Sequence, residues 1–438
     1  GVSTIWSAQP RYERELARAL PGIPTNSMLG WGWGDAEGTG RWTYRRFGFY
    51  LHNAATVTLT GMVIDAQNLY IWNEGDGVLL DREVRHHFSI TFTATQGWVE
   101  AEVFCCGICS VDDVRSLGIL VSSLKADDQE LAYQRPLGPL LNEVEPTALF
   151  SAHYTAYSKS RHNKKISLTN VRGPHSASMT DYIRSNARNY DLLITHNVVF
   201  KTATESIKIA KECGVPSILI PHTHMEDDYY HFDDIYESYK NADSILVSPR
   251  CSVDFLKDLG VSGVNYHAPG IDTTEKFSEA DLAAFRTIYP DTTPFFLVLG
   301  RKAGAKGYTD VIDACERLPK KFGAKVVMIG PDDDKAPLAS ECVIYLGAQD
   351  RTVVRGALMA CTALVSMSRS ESFGIVLLEA GLAGTPVLAN RYCPAFADLV
   401  EDDVNGYRVA PSALTPLMLQ LLEQPKLRQR LGEGGRKH

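Results

Sequence analysis

Two Rossmann-like α/β domains in series, preceded by an all-β sandwich, are the fold class this sequence predicts. Three observations carry the prediction. Residues 1 to 127 hold short runs that alternate apolar with polar residues and are rich in Thr, Val, Phe and Tyr. From 128 to 275 short apolar runs without alternation are separated by helix-like stretches. Near residue 290 that second rhythm begins again and continues to 438.

In the first region a helical start, "RYERELARAL", gives way to "FGFYLHNAATVTLTGMVID", "NLYIWN", "HHFSITFTAT" and "GWVEAEVFC", broken by turn signals such as "NEGDG". Several strands at this spacing, with no long helical pattern between them, indicate a sandwich. In the second region "YDLLITHN" and "PSILIPHTH" read as strands covered on both faces, as in a parallel sheet. Between them "VFKTATESIKIAKECG" reads as a helix with Gly214 as its C-terminal cap. "DSILVS" and the helix "CSVDFLKDLG" continue the alternation. The third region, 276–438, supplies the strands "PFFLVLG", "AKVVMIG", "CVIYLG", "TALVSMS" and "TPVLAN", with helices "TDVIDACERL", "TVVRGALMAC" and "GIVLLEAGLAG" among them. Two such domains place a ligand in the cleft outside the carboxyl ends of their strands.

Composition narrows the function. Of 438 residues, 45% are hydrophobic and 22% charged, which fits a globular protein, and the net charge of −8 speaks against a nucleic-acid partner. No apolar run is long enough to span a bilayer. The nine cysteines are an odd, scattered number and point to a reducing, cytoplasmic compartment. "CCGIC" (Cys105, Cys106, Cys109) has no second pair to complete a zinc site and reads as strand residues.

Two motifs carry the chemistry. "GRKAGAKG", 300 to 307, follows a strand: Gly300 opens a loop in which Arg301 and Lys306 place two cations where they could hold a diphosphate. "SRSESFGIVLLEAGLAG", from 368, places Glu371 just before a helix expected to begin near Phe373 with Ser372 as its cap. The N–H groups of Phe373, Gly374 and Ile375 then offer a seat for phosphate oxygens. Glu379, flanked by Leu378 and Ala380, is an acid in an apolar helix, where an idle carboxylate would be costly. An acceptor-only carboxylate suits a vicinal diol.

Taken together, "ESFGIVLLEA" with its E-x7-E spacing, "GRKAGAKG" and "GVPSILIPHTH" resemble the retaining GT-B glycosyltransferases of glycosyltransferase family 4, as do "HAPGID" and "VNGYRV". The resemblance covers roughly residues 140 to 435. It implies a donor domain at 276–438, an acceptor domain at 128–275, and transfer of a sugar from a nucleoside diphosphate sugar to a glycan or lipid-linked acceptor. It implies that Arg301 and Lys306 neutralise the diphosphate, that Glu371 reads the sugar hydroxyls, that Glu379 takes the ribose and that Gln349 lies by the base. His222 matches the family histidine near the anomeric centre. The family generally needs no metal and no cofactor besides the donor, so "HTH" (His222 and His224) is not expected to be a metal site.

The sequence departs from the family where "TALFSAHYTAYSKS", with His153, replaces the usual glycine-rich loop. His153 and His196 are candidates for the acceptor side. In the first region, which resembles sandwich modules attached to bacterial polysaccharide glycosyltransferases, Trp31 and Trp33 could stack on sugar rings or form a core. The same region could serve oligomer assembly. "SKSRHNKK" is basic and suits either a solvated loop or contact with the inner face of a membrane. Two rival readings are a nucleotide-sugar epimerase of GT-B fold and a non-catalytic glycan-binding protein.

Overall fold

The computed structural model describes residues 15–16, 18–20, 28–30, 32–37, 40–44, 46–63, 67–73, 77–103, 107–110, 113–127, 129–131, 141, 143–160, 169, 176–227 and 230–438. The chain divides into two compact units, 1–144 with 148–166, and 145–147 with 167–438. Cys105, Cys106, Trp31 and most of "SKSRHNKK" lie outside the described residues.

The first unit is built of antiparallel strands: β1 (Met28–Leu29), β2 (Trp33–Glu37), β3 (Gly40–Tyr44), β4 (Arg46–Leu51), β5 (Ala55–Met62), β6 (Gln67–Asn73), β7 (Gly77–Val84), β8 (His87–Ala94), β9 (Gly97–Val103), β10 (Gly107–Ser110), β11 (Asp113–Ala126) and β12 (Gln129–Glu130). One sheet runs β1-β4-β9-β6-β7 and the other β2-β3-β11-β5-β8, with β10 and β12 on β11. The period-2 pattern works as read. On β5, Val57 and Leu59 are buried, while Thr58 and Thr60 bond Thr91 and Ser89 across the strand at 3.2 and 3.0 Å. Phe47, Phe49, Leu51, Val99 and Ala101 of one sheet and Val57, Leu59, Val121 and Leu124 of the other belong to one buried core.

The division falls later than residue 127. Helix α1 (Pro146–Ser160) buries Leu149, Ala152 and Ala156 in a second cluster with Trp98 of β9. Because successive residues of a strand face opposite ways, Trp98 meets the helix while Val99 enters the main core. "TALFSAHYTAYSKS" is therefore helix, and His153 is 3% exposed within it, which removes it as a residue presented to an acceptor. Trp33 is also withdrawn from any sugar-stacking role. It is 7% exposed, packs edge-on against Phe47 at 5.0 Å, and donates its indole N–H to the Gly48 carbonyl at 2.7 Å.

The second unit holds two parallel sheets. The first comprises β13 (Leu193–His196), β14 (Ser217–Ile220), β15 (Ser244–Val247) and β16 (Val264–Tyr266), in that order. Its helices are α2 (Ala177–Asn186), α3 (Lys201–Cys213), α4 (Asp233–Asn241) and α5 (Arg250–Asp258). Helix α3 ends at Gly214, φ 69°, whose N–H reaches the carbonyls of Ala210 and Lys211, the expected cap.

The other sheet uses β17 (Phe295–Leu299), β18 (Lys325–Ile329), β19 (Val343–Tyr345), β20 (Ala363–Ser366), β21 (Val387–Asn390) and β22 (Gly406–Val409) in the order β19-β18-β17-β20-β21-β22. With it go α6 (Glu279–Ile288), α7 (Tyr308–Glu316), α8 (Arg351–Ala360), α9 (Ile375–Ala383), α10 (Leu414–Glu423) and α11 (Pro425–Lys437). Strand order reverses at β17, which pairs with both β18 and β20, and the crevice at such a reversal is where ligands bind in open α/β sheets.

Candidate active site

The two motif loops leave the carboxyl ends of β17 and β20, on either side of that reversal. Glycines let the loops after β17, β18 and β20 pass closely. A Cβ on Gly330 would lie 1.9 Å from the Gly300 carbonyl oxygen, and one on Gly307, φ 66°, would lie 2.1 Å from the Met367 carbonyl oxygen. Between them Lys302 is 2% exposed and is held by Asp332 at 2.8 Å and by Asp334, which also accepts from the Tyr308 hydroxyl at 2.8 Å. Burial opposes the charge on Lys302, yet the two carboxylates raise its pKa above the usual lysine value. "GPDDDK" is thus the counter-charge of the basic loop, with Asp333 bonded to Arg301 at 2.6 Å.

Lys306 and Glu371 meet: Nζ donates to Oε1 at 2.5 Å, joining the loops across 65 positions of sequence. The helix behind Glu371 starts two residues later than expected. Gly374 occupies its cap position at φ 103°, and Ser372 makes no capping bond. A side chain cannot take that place cheaply, because a Cβ on Gly374 would come within 2.9 Å of the Phe396 ring. Phe373 is buried, while Ile375, first residue of α9, is 44% exposed. The Leu377 N–H bonds the Gly374 carbonyl at 3.0 Å, which leaves the Ile375 and Val376 amides as the first-turn donors with no carbonyl in a preceding turn.

Glu379 is four residues into α9, roughly 6 Å along the axis. It is not idle: Arg351 donates to it at 3.0 Å. Arg351 also holds Glu275, which Arg355 bonds at 2.8 Å while gripping Asp281 at 2.7 Å. The Arg351 hydrogen bond is the first cause of the lowered pKa of Glu275. Gln349 turns its amide back to the Leu346 carbonyl.

On the facing lobe His222, half-buried, holds the left-handed conformation, φ 48°, and its Nε2 is 3.2 Å from Nδ1 of His196. Burial first, then the neighbouring His196, His224 and His267, push the His222 pKa down. His224 turns elsewhere, its Nδ1 lying 2.7 Å from the Ser370 hydroxyl, which donates to Glu226 at 2.7 Å. The segment is anchored from beneath: buried His231 bonds the Met225 carbonyl at 2.9 Å and the Tyr236 hydroxyl at 3.0 Å, and Tyr239 donates to Thr223 at 3.2 Å. Among the described residues no group of three or more His, Cys, Asp or Glu side chains is placed to hold a metal.

Sequence reasoning did not find Glu226, Ser370, Arg351 or Glu275. The first two adjoin recognised motifs, in "HTHMED" and "SRSES", and that adjacency was the available signal. The other two also lie near named stretches, Arg351 two residues after Gln349 and Glu275 three after "HAPGID", but only the fold brings them to Glu379.

Comparison with known proteins finds likeness in sequence and in fold. Residues 282–438 match the family described as Glycosyl transferases group 1. The D-inositol 3-phosphate glycosyltransferase of Thermobifida fusca is 24% identical over 287 residues, covering 57% of this chain and 65% of that protein. Mannosylfructose-phosphate synthase of Agrobacterium fabrum is 24% identical over 250 residues, covering 47% and 55%. LpsE of Rhizobium meliloti, a lipopolysaccharide core biosynthesis glycosyltransferase, is 27% identical over 209 residues, covering 45% and 59%. The chain thus spans little more than half to just under two thirds of these relatives' lengths. Among solved structures, Anabaena HepE with UDP and glucose superposes with a TM-score of 0.51 at 18% identity, over 59% of this chain and 75% of that one. Sucrose-phosphate synthase from Thermosynechococcus elongatus gives 0.50 at 19%, over 59% and 71%. The paired parallel sheets have the GT-B fold.

Proposed function

We propose that this chain is a retaining glycosyltransferase of family 4. It moves a hexosyl group from a nucleoside diphosphate sugar to a glycan or lipid-linked acceptor in polysaccharide or cell-surface glycan synthesis. The observation that carries the reading is the Lys306–Glu371 pair at the head of α9, with Glu379 further along the same helix. A diphosphate takes Lys306, Arg301 and the first-turn amides of α9, and the sugar hydroxyls take Glu371 in place of its lysine. The ribose meets Glu379. The barrier falls because fixed positive groups meet the charge that develops on the leaving diphosphate, and no metal or cofactor besides the donor is required. His222 faces the anomeric centre, with His196 beside it on the acceptor side. That LpsE acts in lipopolysaccharide synthesis, and that HepE was solved with UDP and glucose, support the acceptor class and a UDP-hexose donor.

The antiparallel first unit is then a β-sandwich module for glycan binding or assembly. The protein works in the cytoplasm at the inner face of the membrane, and no helix among the described residues is long and apolar enough to cross it.

The test is turnover with a panel of nucleotide sugars, following nucleotide release and sugar transfer in wild type, Arg301→Ala and Glu379→Ala. Arg301→Ala should lose roughly tenfold to a hundredfold in kcat/KM, the value of a charge-assisted hydrogen bond. No nucleoside diphosphate binding and no turnover with any donor would remove the reading. Free epimer without transfer would make the protein an epimerase.

A further inference from the structure

The segment that carries Glu371 is held from the other Rossmann-like lobe on both of its flanks. Before Glu371, the Ser370 hydroxyl donates to Glu226 at 2.7 Å. Its single proton is committed there, so the His224 ring, 2.7 Å away, supplies its Nδ1–H to the same oxygen. After Glu371, the Ser248 hydroxyl donates to the Ser372 carbonyl at 3.0 Å. A third tie runs from the Arg250 N–H to Asp398 at 2.9 Å, in the segment whose Phe396 ring backs Gly374. Glu226 is only 8% exposed, and it rests on a loop already fixed by His231 and Tyr239. Cys393 lies beneath: burial first, then the charges of Glu226 and Glu371, hold its thiol pKa up.

We propose that Glu226 and Ser248 are positioning residues, clamping the Glu371 loop from the opposite lobe through Ser370 on one side and the Ser372 carbonyl on the other. The consequence for catalysis rests on the donor reading above: Glu371 reaches its working position only while the lobes are docked, so the residue that reads the sugar is set by the lobe that brings the acceptor. A donor bound to an undocked pair of lobes has the diphosphate site but not the sugar-reading carboxylate. The arrangement limits wasteful hydrolysis of the donor.

The test has two arms on the full chain, with Glu226→Ala, Ser370→Ala, Ser248→Ala and the hydroxyl-retaining Ser370→Thr. The first is hydrogen exchange of the segment 366–378, which needs no substrate. Its reporters are the Arg369 N–H, bonded to the Ala305 carbonyl at 3.2 Å, and the Leu377 N–H, bonded to the Gly374 carbonyl at 3.0 Å. Glu226→Ala and Ser370→Ala should exchange there roughly tenfold to a hundredfold faster, the weight of a hydrogen bond to a charged group, while Ser370→Thr restores protection. Unchanged exchange in both alanine variants overturns the clamp. The second arm measures UDP affinity and UDP-glucose turnover. The expected result is a UDP Kd within about twofold of wild type with kcat at least about fivefold lower. A Kd that weakens in step with kcat also overturns the inference. A wild-type chain that binds no UDP refutes the proposed function, and the exchange arm then still decides the clamp.

Discussion

Removing the charge of Asp281 should cost stability without touching the candidate site, by an amount the structure sets. Asp281 is 2% exposed. Arg355 donates to its Oδ1 at 3.0 and 2.7 Å, and Ser278 donates to its Oδ2 from the backbone at 2.9 Å and from the hydroxyl at 2.7 Å. The Arg355 bonds, helped by Ser278 and opposed by burial, hold its pKa at about 2. Against about 3.9 for a free aspartate, at 1.36 kcal/mol per pKa unit, the carboxylate contributes roughly 2–3 kcal/mol at neutral pH. The folded pKa is depressed, so this stability is full above about pH 4–5 and is lost as pH falls toward 2, with roughly half remaining at pH 3. Asp281→Asn, measured by urea unfolding, should therefore sit roughly 2–3 kcal/mol below wild type at pH 7, and the gap should close as the pH is lowered. A difference under about 0.5 kcal/mol at pH 7, or one that does not change down to pH 3, would refute the linkage. UDP affinity at pH 7 should stay within about twofold, since Glu275 still holds both Arg351 and Arg355.

Gly307→Ala should destabilise the domain built on the β17–β22 sheet by roughly 2–4 kcal/mol, from overpacking on the Met367 carbonyl and a left-handed φ; thermal unfolding that matches wild type would contradict the crossing of the two loops. His222 should titrate below the usual histidine range, so whatever it contributes to stability as a neutral ring is kept above about pH 6.5 and lost as pH falls through its lowered value. His196→Ala should move that titration upward by removing one of the lowering charges, and an NMR titration of His222 that shifts down instead would reverse the assignment. Glu371→Gln should leave UDP binding within about threefold while abolishing discrimination among donor sugars, with competition by different UDP-hexoses as the measure.

Much of this was open to reading because it is local. Strand alternation in "ATVTLTGM", the unbroken apolar runs of the parallel strands, and the Gly214 cap depend on neighbours a few residues apart. The two glutamates and the basic loop were visible as residue types that an apolar core would not otherwise hold. What stayed hidden is what closes over long sequence distance. Arg351 reaches Glu379 from 28 positions away and Glu275 from 76. Asp332, Asp333 and Asp334 look like an ordinary turn until Lys302 and Arg301 are folded onto them. The start of α9 was misplaced because Ser372 is a good cap by type, whereas the backbone turns at Gly374 in a conformation closed to most side chains. Trp33 could be a sugar platform by composition, and its burial, its packing on Phe47 and its bond to the Gly48 carbonyl make it core.

The pairing of Lys306 with Glu371 has a last consequence, for what leaves the site. With no ligand bound, neither charge is bare. In the proposed reaction a diphosphate recruits the lysine, and the carboxylate is compensated only if sugar hydroxyls arrive with it. Once the sugar has gone, a spent nucleotide leaves Glu371 facing anionic phosphate without a donor. Recapture of Lys306 then competes with the product for its counter-ion. In that reading the same contact that admits a complete donor would eject the exhausted one and raise the threshold for free phosphate or other simple anions.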